Sequence, residues 1–196
     1  MKKIVIALLC LLAANISCQA NKSVIDLKDI IAVFDFKNTL PEATAEQDAD
    51  EIMALAVKTF TAKGFTKGLT GEGYGGPCVI IDGFYKGGCT DKELYSFIPT
   101  DAKNACVIEM SACNDGDGGD YELYMTMDLY DKENALEFMD QLGVAGYELI
   151  LSEEYGNIRS YSNGKYVIDY AYEGEYAHEM YCFRIQTVAR KTKFDY

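Results

Sequence analysis

The chain has 196 residues, with 31 acidic against 18 basic side chains and a formal charge of −13 at pH 7. So acidic a surface repels nucleic acid and anionic lipid headgroups, which argues against polyanion-binding roles. A single histidine excludes a multi-histidine zinc centre built within the chain, while the length suffices for one domain with a sizeable core.

The chain opens Met1-Lys2-Lys3, continues in an apolar run from Ile4 to Ile16, and reaches Ser17-Cys18-Gln19-Ala20. A basic start, a short apolar stretch and small residues at its end read as a secretory signal, residues 1–20. A membrane span needs about 20 apolar residues. Ile16-Ser17-Cys18 resembles the end of a bacterial lipoprotein signal, where a small residue precedes the cysteine that is lipidated; Asn15 stands where that family usually has leucine. The resemblance covers the leader alone. It implies lipidation at Cys18 and an anchor in the outer membrane or on the periplasmic side of a bacterial envelope. Cleavage after Ala20 is the other exit and gives a secreted soluble protein. Loss of Lys2 and Lys3 takes the formal charge from −13 to −15. Residues 21–28 then form a polar tether and residues 29–196 a single domain. No later apolar run approaches spanning length, so membrane contact is expected only through the N-terminal lipid.

Ile30–Phe36 is too apolar for a linker and reads as a strand. After Pro41, Thr44 and Gln47 have capping-box spacing, and Ala49, Ile52, Met53, Ala56 and Phe60 recur at helical spacing up to about Thr61. Gly64-Phe65 closes that helix. Nine of the seventeen glycines then fall between Gly64 and Gly88. Cys78–Tyr85 reads as a strand, Asp91–Phe97 as a helical turn stopped by Pro99, Ala105–Ser111 as a strand, and Asn114–Gly119 as a hairpin loop.

From Tyr121 to Val188 the pattern is clearest. Tyr121, Leu123, Met125, Met127 and Leu129 alternate with Glu122, Tyr124, Thr126, Asp128 and Tyr130, as in a strand with one face in a core. Asp131 suits an N-cap, Ala135, Leu136, Phe138, Met139 and Leu142 follow a helical period, Gly143 stands at the expected left-handed C-cap, and Gly146 starts the return. Asn163-Gly164 signals a type I′ hairpin between Ile158–Tyr161 and Tyr166–Tyr172. Tyr181, Phe183 and Ile185 mark a last strand. The expected fold is α+β, an antiparallel sheet with two helices packed on one face. A helix ending in Gly-Phe and then strands, followed by a helix ending in Gly-Tyr and then strands, is compatible with an α-β-β-β pseudo-duplication.

Gly71–Gly76 has the letters of a dinucleotide fingerprint but is followed by Pro77 and a strand, so it reads as a loop. Asp115, Asp117 and Asp120 crowd a glycine loop of a kind calcium favours, the one cofactor considered. Thr126 nevertheless stands where an EF-hand has its bidentate glutamate, and a solvated hairpin loop is preferred. Among the cysteines, sequence proximity pairs Cys78 with Cys89 and Cys106 with Cys113; the alternative is that Cys106 and Cys182 are ordinary strand residues. His178 and Cys182, on one strand, would lie about 13 Å apart, too far for a nucleophile and its base. Serine-hydrolase signatures are absent. Twelve of the fifteen tyrosines lie from Tyr121 onward. The wet face of the first C-terminal strand, with Tyr124, Thr126, Asp128 and Tyr130, is therefore the candidate binding surface, although tyrosine is also an ordinary strand former. The expected role is an exported, non-enzymatic module binding a protein or a glycan; the competing class is a hydrolase using acidic residues.

Overall fold

The computed structural model describes residues 23–68, 78–91, 96–114, 119–152, 158–173 and 179–188. The leader with Cys18, the Gly71–Gly76 loop, Asp115, Asp117 and His178 lie outside the described residues. In chain order the elements are α1 (Leu27–Phe36), β1 (Thr39–Leu40), α2 (Ala45–Thr61), β2 (Thr66–Lys67), β3 (Cys78–Lys86), β4 (Gly88–Asp91), β5 (Ser96–Pro99), β6 (Cys106–Cys113) and β7 (Tyr121–Leu129). They continue with α3 (Lys132–Val144), β8 (Glu148–Ser152), β9 (Ile158–Ser162), β10 (Tyr166–Glu173) and β11 (Met180–Thr187). The fold is α+β. Its main sheet is nine-stranded in the order β2-β3-β6-β7-β11-β10-β9-β8, with β1 also paired to β7. Every pairing is antiparallel.

The period-two stretch becomes β7, where Leu123, Met125, Met127 and Leu129 are buried and the residues between them half-buried. Their neighbours across the sheet are apolar too: Met127 faces Ile108 on β6 and Phe183 on β11. Each helix sends a phenylalanine into this apolar layer. Phe34 of α1 meets Tyr166 edge-on at 5.2 Å, Phe60 of α2 meets Phe84 at 5.1 Å, and Phe138 of α3 meets Phe183 at 4.9 Å. Such rings each contribute roughly 1.5–3 kcal/mol by burial, and the edge-on geometry adds to that.

Four local expectations are corrected. Ile30–Phe36, expected as a strand, is most of α1, so the described residues hold three α-helices where two were expected. Leu27, Ile30, Val33 and Phe34 are buried at helical spacing, and the apolar Ile31 and Ala32 between them and Phe36 just beyond mask that period. Asp91–Phe97, expected as a helical turn, begins at the end of β4 and ends inside β5, a separate two-stranded hairpin. Gly143 lies inside α3, and the left-handed residue is Gly146, at φ +79°. Asn163 does not take the positive φ that a type I′ turn demands; Gly164 alone does, at +84°. The Asn163 Oδ1 instead accepts from the amides of Lys165 at 3.0 Å and Tyr166 at 2.9 Å. Two capping expectations differ in outcome. Asp131 accepts from the Asn134 amide at 3.2 Å, whereas the Thr44 hydroxyl makes no cap and donates to Asp48 at 2.8 Å.

Gly87 makes the turn into the β4–β5 hairpin at φ +72°, and its carbonyl accepts from Thr100 at 3.0 Å and Asp101 at 2.9 Å. A Cβ there would sit 2.4 Å from the Asn104 carbonyl carbon, whereas a Cβ at Gly146 meets nothing within 4 Å. Gly146→Ala should therefore cost only the left-handed backbone strain, about 1 kcal/mol. Gly87→Ala adds a backbone clash and should cost about 2 kcal/mol or more. Urea midpoints of the two variants against the parent check the ranking.

Candidate functional site

The half-buried residues of β7 point to the face opposite the phenylalanine contacts. Residues paired across antiparallel strands share a side, so the registers assemble this face row by row. Thr126 faces Glu109 on β6 and Arg184 on β11; Arg184 faces Asp169 on β10, and Asp169 faces Ser160 on β9. Glu109, Thr126, Arg184, Asp169 and Ser160 therefore form one polar row across five strands, roughly 19 Å wide. Tyr124 lies beside Ser111, and Asp128 lies between Val107 and Cys182.

This face is sheltered. Ser160, Gln186, Val107 and Val167 are buried on it. Buried polar groups need partners, and these have them: Ser160 Oγ donates to Asp169 Oδ1 at 2.5 Å and Gln186 Nε2 donates to Asp169 Oδ2 at 3.0 Å. The β4–β5 hairpin folds over one end, where Phe97 lies 6.2 Å from Tyr85 and 5.2 Å from Tyr130, ring centre to ring centre. Of the four residues expected to form the surface, Tyr124, Thr126 and Asp128 line it half-buried, while Tyr130 is partly covered by Phe97. Burial pushes the Tyr130 phenol well up, and the neighbouring Asp128 carboxylate pushes the same way. Glu109 is solvent-accessible, yet enough protein surrounds its carboxyl that burial raises its pKa.

Glu109, Arg184, Asp169, Ser160 and Gln186 were missed in the sequence. The alternation set Asp169 on the opposite face from Ile168 and Tyr170, and Arg184 and Gln186 on the opposite face from Phe183 and Ile185. Nothing local said that β11 pairs with β7, which is what joins them to Thr126.

The cysteine pairing differs from expectation. Cys89 and Cys106 are free thiols and Cys113 is disulfide-bonded. Cys106 and Cys113 stand at the two ends of β6, about 23 Å apart along a strand, far beyond the reach of a disulfide. Cys78 is the residue directly opposite Cys113 in the β3–β6 register. Sequence proximity was the wrong guide because antiparallel pairing sets which cysteines meet. Among the described residues no three His, Cys, Asp or Glu side chains gather as a metal centre. Asp120 of the expected calcium loop is exposed, next to Gly119. No described helix is long and apolar enough to cross a membrane.

Three measurements follow. Under native alkylation Cys89, which is exposed, should react first and Cys182 more slowly. Cys106 is fully buried with its thiol pKa pushed up by burial, and should react only on unfolding. Non-reducing peptide mapping should link the Cys78 and Cys113 peptides. For Glu109 the folded pKa lies above the unfolded one, so its ionisation costs stability as pH rises through that interval. Glu109→Gln should raise the thermal midpoint at pH 7 and leave it nearly unchanged at pH 4, in melts recorded at both.

Compared with known protein families, curated proteins and solved structures, the chain matches none of them.

Proposed function

We propose that this protein is an exported binding module, not an enzyme, lipid-anchored through Cys18 at a bacterial envelope, that presents the helix-free face of its sheet to a protein or glycan. The polar row from Glu109 through Thr126, Arg184 and Asp169 to Ser160 carries the reading. Its side chains come from five strands, and Asp169 and Ser160 at one end of it are fixed by hydrogen bonds. A surface already ordered loses little entropy on binding, which favours recognition. Tyr124 adds amphipathic contact area beside the row.

The breadth of this face fits a duplicated ancestry. One unit would be α2-β2-β3-β6-β7 and the other α3-β8-β9-β10-β11, each with one strand more than the α-β-β-β unit expected, and a strand order that runs as a mirror image about the β7–β11 pair supports the reading. The two helices close in the same way. Phe65 donates to the Phe60 carbonyl at 3.1 Å and Gly64 to Thr61 at 3.0 Å; Tyr147 donates to Leu142 at 3.0 Å and Gly146 to Gly143 at 3.1 Å. On this reading α1 and the β4–β5 hairpin are additions to the repeat, and Thr126 and Arg184 sit at the seam between the two units.

The hydrolase reading has one observation behind it. Glu109, with its raised pKa, lies diagonal to Asp128 on the adjacent strand, a placement that puts the two Cβ atoms about 7–8 Å apart. Glu109 is exposed rather than enclosed, which favours recognition over catalysis.

The test is site-specific photocrosslinking in envelope extract, with the reactive group at Thr126 on the sheet face or at Lys58 on the exposed side of α2. The expected result is a discrete adduct from position 126 and none from position 58, with yield falling about tenfold in Tyr124→Ala and Arg184→Ala backgrounds. Equal labelling from both positions, or adducts indifferent to those substitutions, removes the sheet face as the binding surface.

A further inference from the structure

The helix layer holds a feature that the sheet-face reading does not use. A groove of about 660 Å³ lies between the start of α1 and the end of α3, within the size range of ligand sites. Leu27 and Ile31 line it from α1, Val144 and Ala145 from the end of α3, and Tyr147 from the turn that follows. The two helices are joined beside it by Gln141, whose Oε1 accepts from the Leu27 amide at 2.7 Å and whose Nε2 donates to Ser23 Oγ at 3.3 Å. Val144 is 91% exposed, an unusual state for an aliphatic side chain at the rim of an apolar groove.

The charge at the groove specifies what would fit. Acids outnumber bases in its lining, Asp26, Glu137 and Asp140 against Lys28. Asp26 on the α1 side is already engaged by Lys63 at 2.8 Å, with Lys28 at 3.8 Å. Glu137 and Asp140 on the α3 side have no ion-pair partner among the described residues, and with Asp131 and Glu133 they also line a second groove along the same helix.

We propose that the α1–α3 groove is a docking site for a cationic amphipathic helical segment of a partner protein. Aliphatic side chains of the segment seat against Leu27, Ile31 and Val144, and a lysine or arginine pairs with Glu137 and Asp140. The uncompensated carboxylates repel acidic peptides and anionic lipid, which leaves a basic amphipath as the complementary occupant. This site is independent of the sheet face.

The test uses three synthetic peptides of fourteen residues. One has leucine and lysine at helical spacing, one is its leucine–glutamate counterpart, and one is a leucine–lysine scramble without amphipathic spacing. Binding to the full chain is read by titration calorimetry. The amphipathic lysine peptide should bind, and the other two should bind about tenfold or more weakly. Val144→Arg and the Glu137→Gln/Asp140→Asn pair should each weaken it about tenfold, while Arg184→Glu on the sheet face leaves it unchanged. Absence of binding overturns the proposal. So does equal binding of the scramble, which would mark attraction to the acidic surface in general, or binding indifferent to Val144→Arg.

Discussion

Leu129, Met127 and Met125 of β7 stand opposite Tyr181, Phe183 and Ile185 of β11, and through this seam the strands β2-β3-β6-β7 continue into β11-β10-β9-β8. Side chains alternate along a strand, so a slip of one residue would turn Phe183 out of the core and bring Arg184 in. Such a slip is costly here because Phe183 is held from two directions, by Phe138 of α3 at 4.9 Å and by Tyr170 of β10 at 5.2 Å. The register that protects the core is the same one that sets Arg184 beside Thr126 and Asp169. Core and candidate surface are two consequences of one pairing.

Helix α1 braces that arrangement from outside the repeat. At its start, Asp26 and Asp29 share Lys63 from the end of α2, at 2.8 and 2.7 Å. At its end, Asp35 takes the Tyr166 hydroxyl and the Lys165 ammonium from the β9–β10 hairpin, and just beyond it Lys37 bridges Asp48 and Glu51 of α2. The hydrogen-bonded lysines hold the carboxyls of Asp26 and Asp48 below the usual carboxylate range, and the lysines in turn are raised. Partly exposed ion pairs add little stability singly. The larger contribution of α1 is the burial of Leu27, Ile30, Val33 and Phe34, and the pairs fix how the helix lies while those side chains are buried.

How much of this was readable in the sequence depends on whether the deciding interaction is local. The β7 alternation, the Asp131 cap and the two arms around Asn163-Gly164 depend on neighbours in sequence, and all of them were legible. Ile30–Phe36 was misread because its β-branched residues favour strands, while tertiary burial of one helical stripe decided the matter. The cysteine pairing and the polar row were out of reach for a different reason. Cys78 opposite Cys113, and Thr126 beside Arg184, are products of strand order, and no periodicity encodes strand order. The candidate surface was legible one strand at a time and invisible as a surface.

That distinction bears on why a polar face can persist on a sheet this large. A wholly exposed face could be polar in any pattern, and a wholly buried one would have to be apolar. The helix-free face is neither, because Ser160 and Gln186 are buried there while Glu109 and Arg184 reach solvent. Polar groups in such a setting are stable only when each is satisfied, which ties Ser160 and Gln186 to the carboxylate of Asp169. Structural demand thus falls on the β9–β10 end of the row, while Glu109 on β6 and Arg184 on β11 stay in contact with solvent. On the proposed binding reading, substitution at Glu109 or Arg184 alters the face and leaves those hydrogen bonds in place, whereas a change at Asp169 unsettles both the face and its support.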